Sequence, residues 1–314
     1  MAVPELRVDV GGGLQLRNPV IAASGTFGYG IEVAGVADPS VLGAVVVKGI
    51  SLRPSDGHPP PRMVETAAGM LNAIGLQNIG VESFVRQKLP WLREHGVTVV
   101  VNCWGNTVEE YAEVVAALED AADVAAIEVN ISSPNKREWG GIIATDAERT
   151  AEVVSAARAR TRRPLWVKLS PNVTDIVEFA RVAEQAGADA LSVANTYLGM
   201  AVDCRSRRPL LSNVTGGLSG PAIKPLNLRA VYQVTRSSKI PVIGVGGIAS
   251  AEDALEYLVV GAKAVQVGTA NLYNPASGTK IVNKIKKFLE DQGLTDINQL
   301  IGTLECGTPV DQGP

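Results

Sequence analysis

Lysine, asparagine and glycine recur at the ends of short apolar runs in this 314-residue sequence. Lys48 closes VVVK and Lys168 sits inside LWVKLS. A lysine on a strand buried on both faces is costly without an anionic partner, so two such lysines point to an anionic ligand. The lesser alternative for either one alone is a stem carrying its ammonium past the strand end. Asn102, Asn130 and Asn195 end three further runs, and each amide offers two donors and an acceptor to a planar heterocycle. A strand-end turn residue explains any single Asn equally well; three at equivalent positions favour a ring of hydrogen bonds. The last two runs end in Gly246-Gly247 and in Gly268-Thr269, and Gly220 stands in GGLSGP. Glycine bares backbone N–H groups and allows close approach, as a phosphate requires.

These residues need a scaffold that brings strand ends together. The apolar runs are 18–24 (NPVIAAS), 43–51 (GAVVVKGIS), 98–103 (TVVVNC), 125–132 (AAIEVNIS), 164–170 (PLWVKLS), 190–196 (ALSVANT), 240–247 (IPVIGVGG) and 264–269 (AVQVGT). Near-continuous apolar strands are those buried on both faces, as in parallel sheets. Helical patterns lie between them. Thr107 with Glu110 reads as a capping box, Ser250 with Asp253 caps AEDALEYLVVGA, and Gly187 stops the helix that starts after PNVT. Eight strands alternating with helices fit a single α/β domain, a (β/α)₈ TIM barrel over residues 1–302; an open doubly wound sheet is the rival. Residues 7–16 (RVDVGGGLQL) read as an N-terminal hairpin that plugs the barrel bottom, and 303–314 as a flexible tail. Two long connections, 133–146 and 197–225, follow strands and so lie at the C-terminal face, where barrel active sites sit. A phosphate at the seventh and eighth strands, with lysines inside the barrel, suggests a phosphorylated flat cofactor, and flavin mononucleotide (FMN) fits.

Composition excludes several alternatives. Hydrophobic residues make up 46% and charged residues 19%, which rules out a disordered chain. A net charge of −3 and 4% aromatics argue against a general nucleic-acid binder. The three cysteines, Cys103, Cys204 and Cys306, are too few for a self-contained iron–sulfur cluster and odd for a disulfide framework, which suggests a reducing compartment. With no apolar signal core at the start and no run of about 18 apolar residues, the expected location is cytoplasmic.

An ordered set of motifs carries a resemblance. ASGTFG (23–28), GMLNAIGLQN (69–78), NISSPN (130–135), VKLSPN (167–172), ANT (194–196), GLSGPAIKP (217–225), GVGGI (244–248) and VGTAN (267–271) together resemble dihydroorotate dehydrogenase, from about Leu6 to about Gln292. MLNAIGLQN and GLSGPAIKP are most similar to its soluble NAD-linked subclass, class 1B, and the N-terminal membrane-associating helices of the quinone-linked subclass are not seen. The resemblance implies FMN and the oxidation of (S)-dihydroorotate to orotate in pyrimidine synthesis. Carried over motif by motif, it implies flavin contacts at Ser24, Lys48, Gly49, Asn102, Asn130, Lys168 and Ala194, with Gly220, Gly246, Gly247, Gly268 and Thr269 around the phosphate. It implies substrate contacts at Lys48, Asn72, Ala73, Ile74, Gly75, Leu76, Asn130, Asn135, Asn195 and Thr196. Orotate is a flat anion with amide edges, which Lys48 and the Asn side chains complement.

One departure matters. Where the soluble subclasses keep a cysteine base, this chain has Ser133, as the membrane-associated subclass does. A serine hydroxyl is a far weaker acid than a thiol of reference pKa about 8.5 and needs a relay for its proton. Three readings stand open: a natural base with a relay, a cysteine replaced by engineering, or a barrel that has lost the activity. His58 and His95 read as surface residues on other loops, and Gly140-Gly141 as a hinge for a lid. The chain has no G-x-G-x-x-G dinucleotide turn after its first strand, so NAD linkage implies a second subunit carrying FAD and a [2Fe–2S] cluster in a heterotetramer. The alternatives are a fumarate-linked homodimer, a dihydropyrimidine dehydrogenase-like barrel, or a silent FMN-binding barrel.

Overall fold

The computed structural model describes residues 3–133 and 142–307. Sixteen strands follow in chain order among these residues. A short antiparallel hairpin, β1 (Val8–Asp9) and β2 (Gln15–Leu16), comes first, then β3 (Val20–Ala22), β4 (Ala44–Ile50), β5 (Met63–Thr66) and β6 (Gly69–Asn72). Next are β7 (Val99–Cys103), β8 (Val124–Asn130), β9 (Leu165–Lys168) and β10 (Ala190–Val193). Four short strands follow, β11 (Tyr197–Met200), β12 (Val202–Asp203), β13 (Arg208–Pro209) and β14 (Thr215–Ser219), then β15 (Val242–Val245) and β16 (Ala264–Val267). The helices are α1 (Val81–Gln87), α2 (Leu89–Glu94), α3 (Val108–Glu119), α4 (Ala147–Arg158), α5 (Ile176–Gln185), α6 (Lys224–Thr235), α7 (Ala251–Val259), α8 (Ala270–Tyr273) and α9 (Ser277–Asp291).

Strands β3, β4, β7, β8, β9, β10, β15 and β16 close a parallel barrel in that order around the ring. They are the eight runs read from the sequence, and the open doubly wound sheet is thereby excluded. Val and Ile dominate them because a pleated strand covered on both sides accepts β-branched side chains at every position. Val45, Val46, Val47, Val100 and Val101 are fully buried. The β1–β2 hairpin lies at the N-terminal end of the barrel: a Cβ on Gly11 would stand 2.1 Å from the Asp189 carbonyl oxygen, just before β10.

Helix starts follow side-chain caps. Ser250 is the expected cap of α7, and Asp253 completes a reciprocal box with it. On α3 only half of the expected box forms: Thr107 accepts from Glu110 N, while Glu110 Oε2 turns to Asn106 N at 2.7 Å. Asp175 caps α5, and Gly187, at φ +104°, follows that helix.

Two expectations about connections change. The 197–225 connection is not an open loop. It folds into β11 and β14, which pair with β6 and β5 in a four-stranded antiparallel sheet of order β11-β14-β6-β5 above the barrel mouth. The expected tail is anchored over its first residues: Leu304 N donates to Val259 O, and Cys306 Sγ lies 3.6 Å from the Tyr232 hydroxyl. Residues 308–314 lie outside the described residues, as do Asn135 and the Gly140-Gly141 pair. No helix among the described residues is long and apolar enough to cross a membrane.

Candidate active site

The C-terminal face of the barrel opens into a cavity of about 400 Å³ between the strand ends and the four-stranded sheet. Three cationic side chains line it, Lys48, Arg62 and Lys168, and no carboxylate does among the described residues. A pocket with converging cations and no carboxylate among its described lining residues is suited to anions.

Lys48 owes its position to a break in β4. Val47 pairs with Val101, but Ile50 pairs with Cys103, so β4 carries one extra residue across Lys48-Gly49. Such a bulge re-aims a side chain at a barrel rim. The Lys48 ammonium reaches Gln77 Oε1 at 3.5 Å, and the Arg62 guanidinium donates to the same oxygen at 2.8 Å. Burial, and secondarily the nearby Arg62 charge, holds the Lys48 pKa below the ordinary lysine value.

Lys168 is met differently. Among strand residues a lysine seemed to require an anionic ligand, yet the barrel supplies its own anion: Glu128 Oε1 lies 3.7 Å from the Lys168 ammonium. Gln266 Oε1 lies 3.3 Å from the same nitrogen. The asparagines divide too. Asn130 reaches the cavity, whereas Asn102 is fully buried behind it and accepts from Asn130 Nδ2 at 3.2 Å. Asn195 lines the cavity and donates to Ser132 Oγ at 2.9 Å.

The glycines form one flank. Gly220, Gly246, Gly247, Gly268 and Thr269 all line the cavity. Gly246 sits at φ +121°, and a Cβ there would meet Asn227 Nδ2 at 2.0 Å. That amide in turn donates to the Val245 carbonyl at 2.7 Å, so the turn is packed from behind. Thr269 Oγ1 donates to Ser219 Oγ at 2.8 Å, tying the last strand end to β14.

The opposite flank is the loop after β6. Asn72, Ile74, Gly75 and Leu76 line the cavity, but Ala73 is fully buried beneath them. Gly75 (φ +74°) and Leu76 (φ +62°) turn the backbone through the left-handed region. A Cβ on Gly75 would meet His58 N at 2.6 Å, so only glycine fits there. His58 is therefore not a free surface residue: it is half-buried under this loop, with Nδ1 3.1 Å from Ala73 O. His95 is exposed and stacks on Trp91. Asn78 pins the loop from below, donating to Ser51 Oγ at 2.8 Å and Leu76 O at 2.9 Å.

Ser133 also lines the cavity, as do Ser24, Gly49, Ala194 and Thr196. None of the three cysteines lines it. Burial pushes the Cys103 thiol far above its ordinary range, so it is inert. Arg62, Gln77 and Ser219 were not anticipated, because they sit on loops and short strands without an apolar frame. Glu128 and Gln266 were not anticipated either, although each interrupts an apolar strand in the same way as Lys168.

The chain was compared with known proteins. The family model described as dihydroorotate dehydrogenase matches residues 6–292. The catalytic subunit of dihydroorotate dehydrogenase B (NAD(+)) from Geotalea uraniireducens is 53% identical over 304 residues, covering 97% of this chain and 99% of that protein. The subunit of the same name from Trichlorobacter lovleyi is 55% identical over 302 residues, covering 96% and 99%. That from Geobacter sulfurreducens is 52% identical over 305 residues, covering 97% and 100%. With its whole barrel and every wall of the cavity inside the matched span, the chain belongs to the dihydroorotate dehydrogenase family.

Proposed function

We propose that this chain is the catalytic subunit of an NAD-linked dihydroorotate dehydrogenase, oxidising (S)-dihydroorotate to orotate. The observation that carries this is the cavity itself: three cations, amide side chains and a glycine flank, with no carboxylate among its described lining residues. That donor set fits FMN. Backbone amides at Gly220, Gly246, Gly247, Gly268 and Thr269 suit its phosphate. At Gly268 an added Cβ would meet nothing closer than Ala23 Cβ at 3.7 Å, so the surface there is open to a ligand. Ser24, Gly49, Asn130, Lys168 and Ala194 would hold the ring system, with Asn102 bracing Asn130 from behind. Bound FMN supplies a hydride acceptor.

The remaining steps belong to side chains. Lys48 and Arg62 balance the substrate carboxylate, while Asn72, Asn130, Asn195 and Thr196 hold its amide edges; Asn135 joins them from outside the described residues. The C5 proton passes to Ser133 as hydride leaves C6. A serine oxygen that accepts this proton must release its own to water or a neighbouring hydroxyl, so Ser133 works through a relay. Lys168, which lines the cavity, would place a positive charge beside the ring system.

Electrons then leave to a separate subunit. The relatives named as catalytic subunits support this, and we assign FAD and a [2Fe–2S] cluster to that partner within a heterotetramer. The test is reconstitution. The purified chain is expected to carry about one FMN and to reduce NAD with dihydroorotate only when the electron-transfer subunit is added. Fumarate turnover by the chain alone would assign it to the fumarate-linked type instead.

A further inference from the structure

Glu128 lines no part of the cavity, yet its partners do or adjoin it. It stands on β8 two residues before Asn130 and is fully buried. Its Oε1 accepts from Asn102 Nδ2 at 2.7 Å. Its Oε2 accepts from Ser192 Oγ and from Gln266 Nε2, each at 2.6 Å. Lys168 can only donate, so Gln266 turns Oε1 to the ammonium and Nε2 to the carboxylate. Five barrel strands thus contribute to one buried network with a single carboxylate and a single ammonium at its centre. A buried charge is retained only when paired and hydrogen-bonded, and here every partner is in place.

The pair has a consequence for whatever Lys168 faces. Adding two electrons and one proton to FMN near neutral pH leaves a negative charge on the ring. Lys168 favours that charge, and Glu128, held against Lys168 inside the barrel, opposes it. We propose that Glu128 is a positioning residue that fixes Lys168 and Asn102 and keeps the bound flavin harder to reduce than Lys168 alone would make it, so that electrons can pass on to a low-potential acceptor. This rests on the FMN reading above.

The test is the midpoint potential of the bound flavin, measured by spectroelectrochemistry on the holoenzyme. Glu128→Gln is expected to raise the equilibrium constant for flavin reduction by about tenfold or more, which is about 30 mV for a two-electron couple. A merely structural role would alter flavin affinity or melting temperature and leave the potential of the retained flavin unchanged; an unchanged potential overturns the proposal. Where Glu128→Gln does not retain flavin, Lys168→Gln is compared with the double variant Glu128→Gln/Lys168→Gln. The double variant must then be the easier to reduce, and equal potentials overturn the proposal. Failure of both Glu128→Gln and the double variant to retain flavin also overturns it, because Glu128 would then serve to hold the flavin and not to set its potential. Absence of FMN from the unmodified protein would instead refute the cofactor reading itself.

Discussion

At the scale of residues, the chemistry turns on Ser133 and Lys48. Ser133→Ala is expected to slow flavin reduction by dihydroorotate about 10²–10⁴-fold, the usual range for losing a positioned base, in anaerobic stopped-flow traces. Ser133→Cys is expected to raise turnover at neutral pH and move the rate profile to lower pH, because a thiol ionises far more readily than a hydroxyl. Unchanged rates in both variants would remove Ser133 from the mechanism. Lys48 gives a second pH test. Its folded pKa lies below the ordinary value of 10.5, chiefly through burial and then through Arg62. Between those two values the unfolded chain binds more protons, so the stability of the free protein rises with pH there, and the cost of the buried charge is fully present below that window. An anionic ligand needs the protonated lysine, so orotate affinity is expected to fall as pH rises through the depressed value. Arg62→Gln removes the like charge and is expected to move that fall to higher pH; titration calorimetry across pH checks it. Lys48, Lys168, Asn130 and Asn195 were legible in the sequence because each breaks an apolar run. Glu128 and Gln266 break runs too, but only the closed barrel shows that their side chains meet. Asn102 was also read as a ligand contact; the structure buries it beside Asn130, opposite Glu128 in the strand register.

At the scale of elements, the barrel strands and the helices α3, α5 and α7 were legible because burial on both faces writes a continuous apolar run and helix caps have short signatures. The sheet above the mouth was not. Its strands are four or five residues long and rich in glycine and polar residues, so no alternation marks them. Their order is fixed by pairing across distant segments, as when Gly217 meets Asn72. The turn after β15 is the most sensitive point of the cofactor flank. Gly246→Ala combines an unfavourable φ with a Cβ placed against Asn227, and is expected to cost about 2 kcal/mol or more and to abolish flavin retention. Ser250→Ala removes one arm of the α7 capping box and is expected to cost about 1 kcal/mol with flavin content unchanged. Chemical denaturation with flavin absorbance as a second probe separates the two.

At the scale of the whole molecule, the chain is one closed barrel whose mouth gathers positive charge, although the net charge of the protein is −3. The local field, not the overall balance, selects the ligand. The described residues contain no group of His, Cys, Asp and Glu that could hold a metal ion. The most direct measurement is an anaerobic titration of the purified, flavin-loaded chain with dihydroorotate, with no acceptor and no partner present. The account predicts bleaching of the flavin absorbance with formation of one orotate per flavin reduced. A flavin that stays oxidised in saturating dihydroorotate would contradict it.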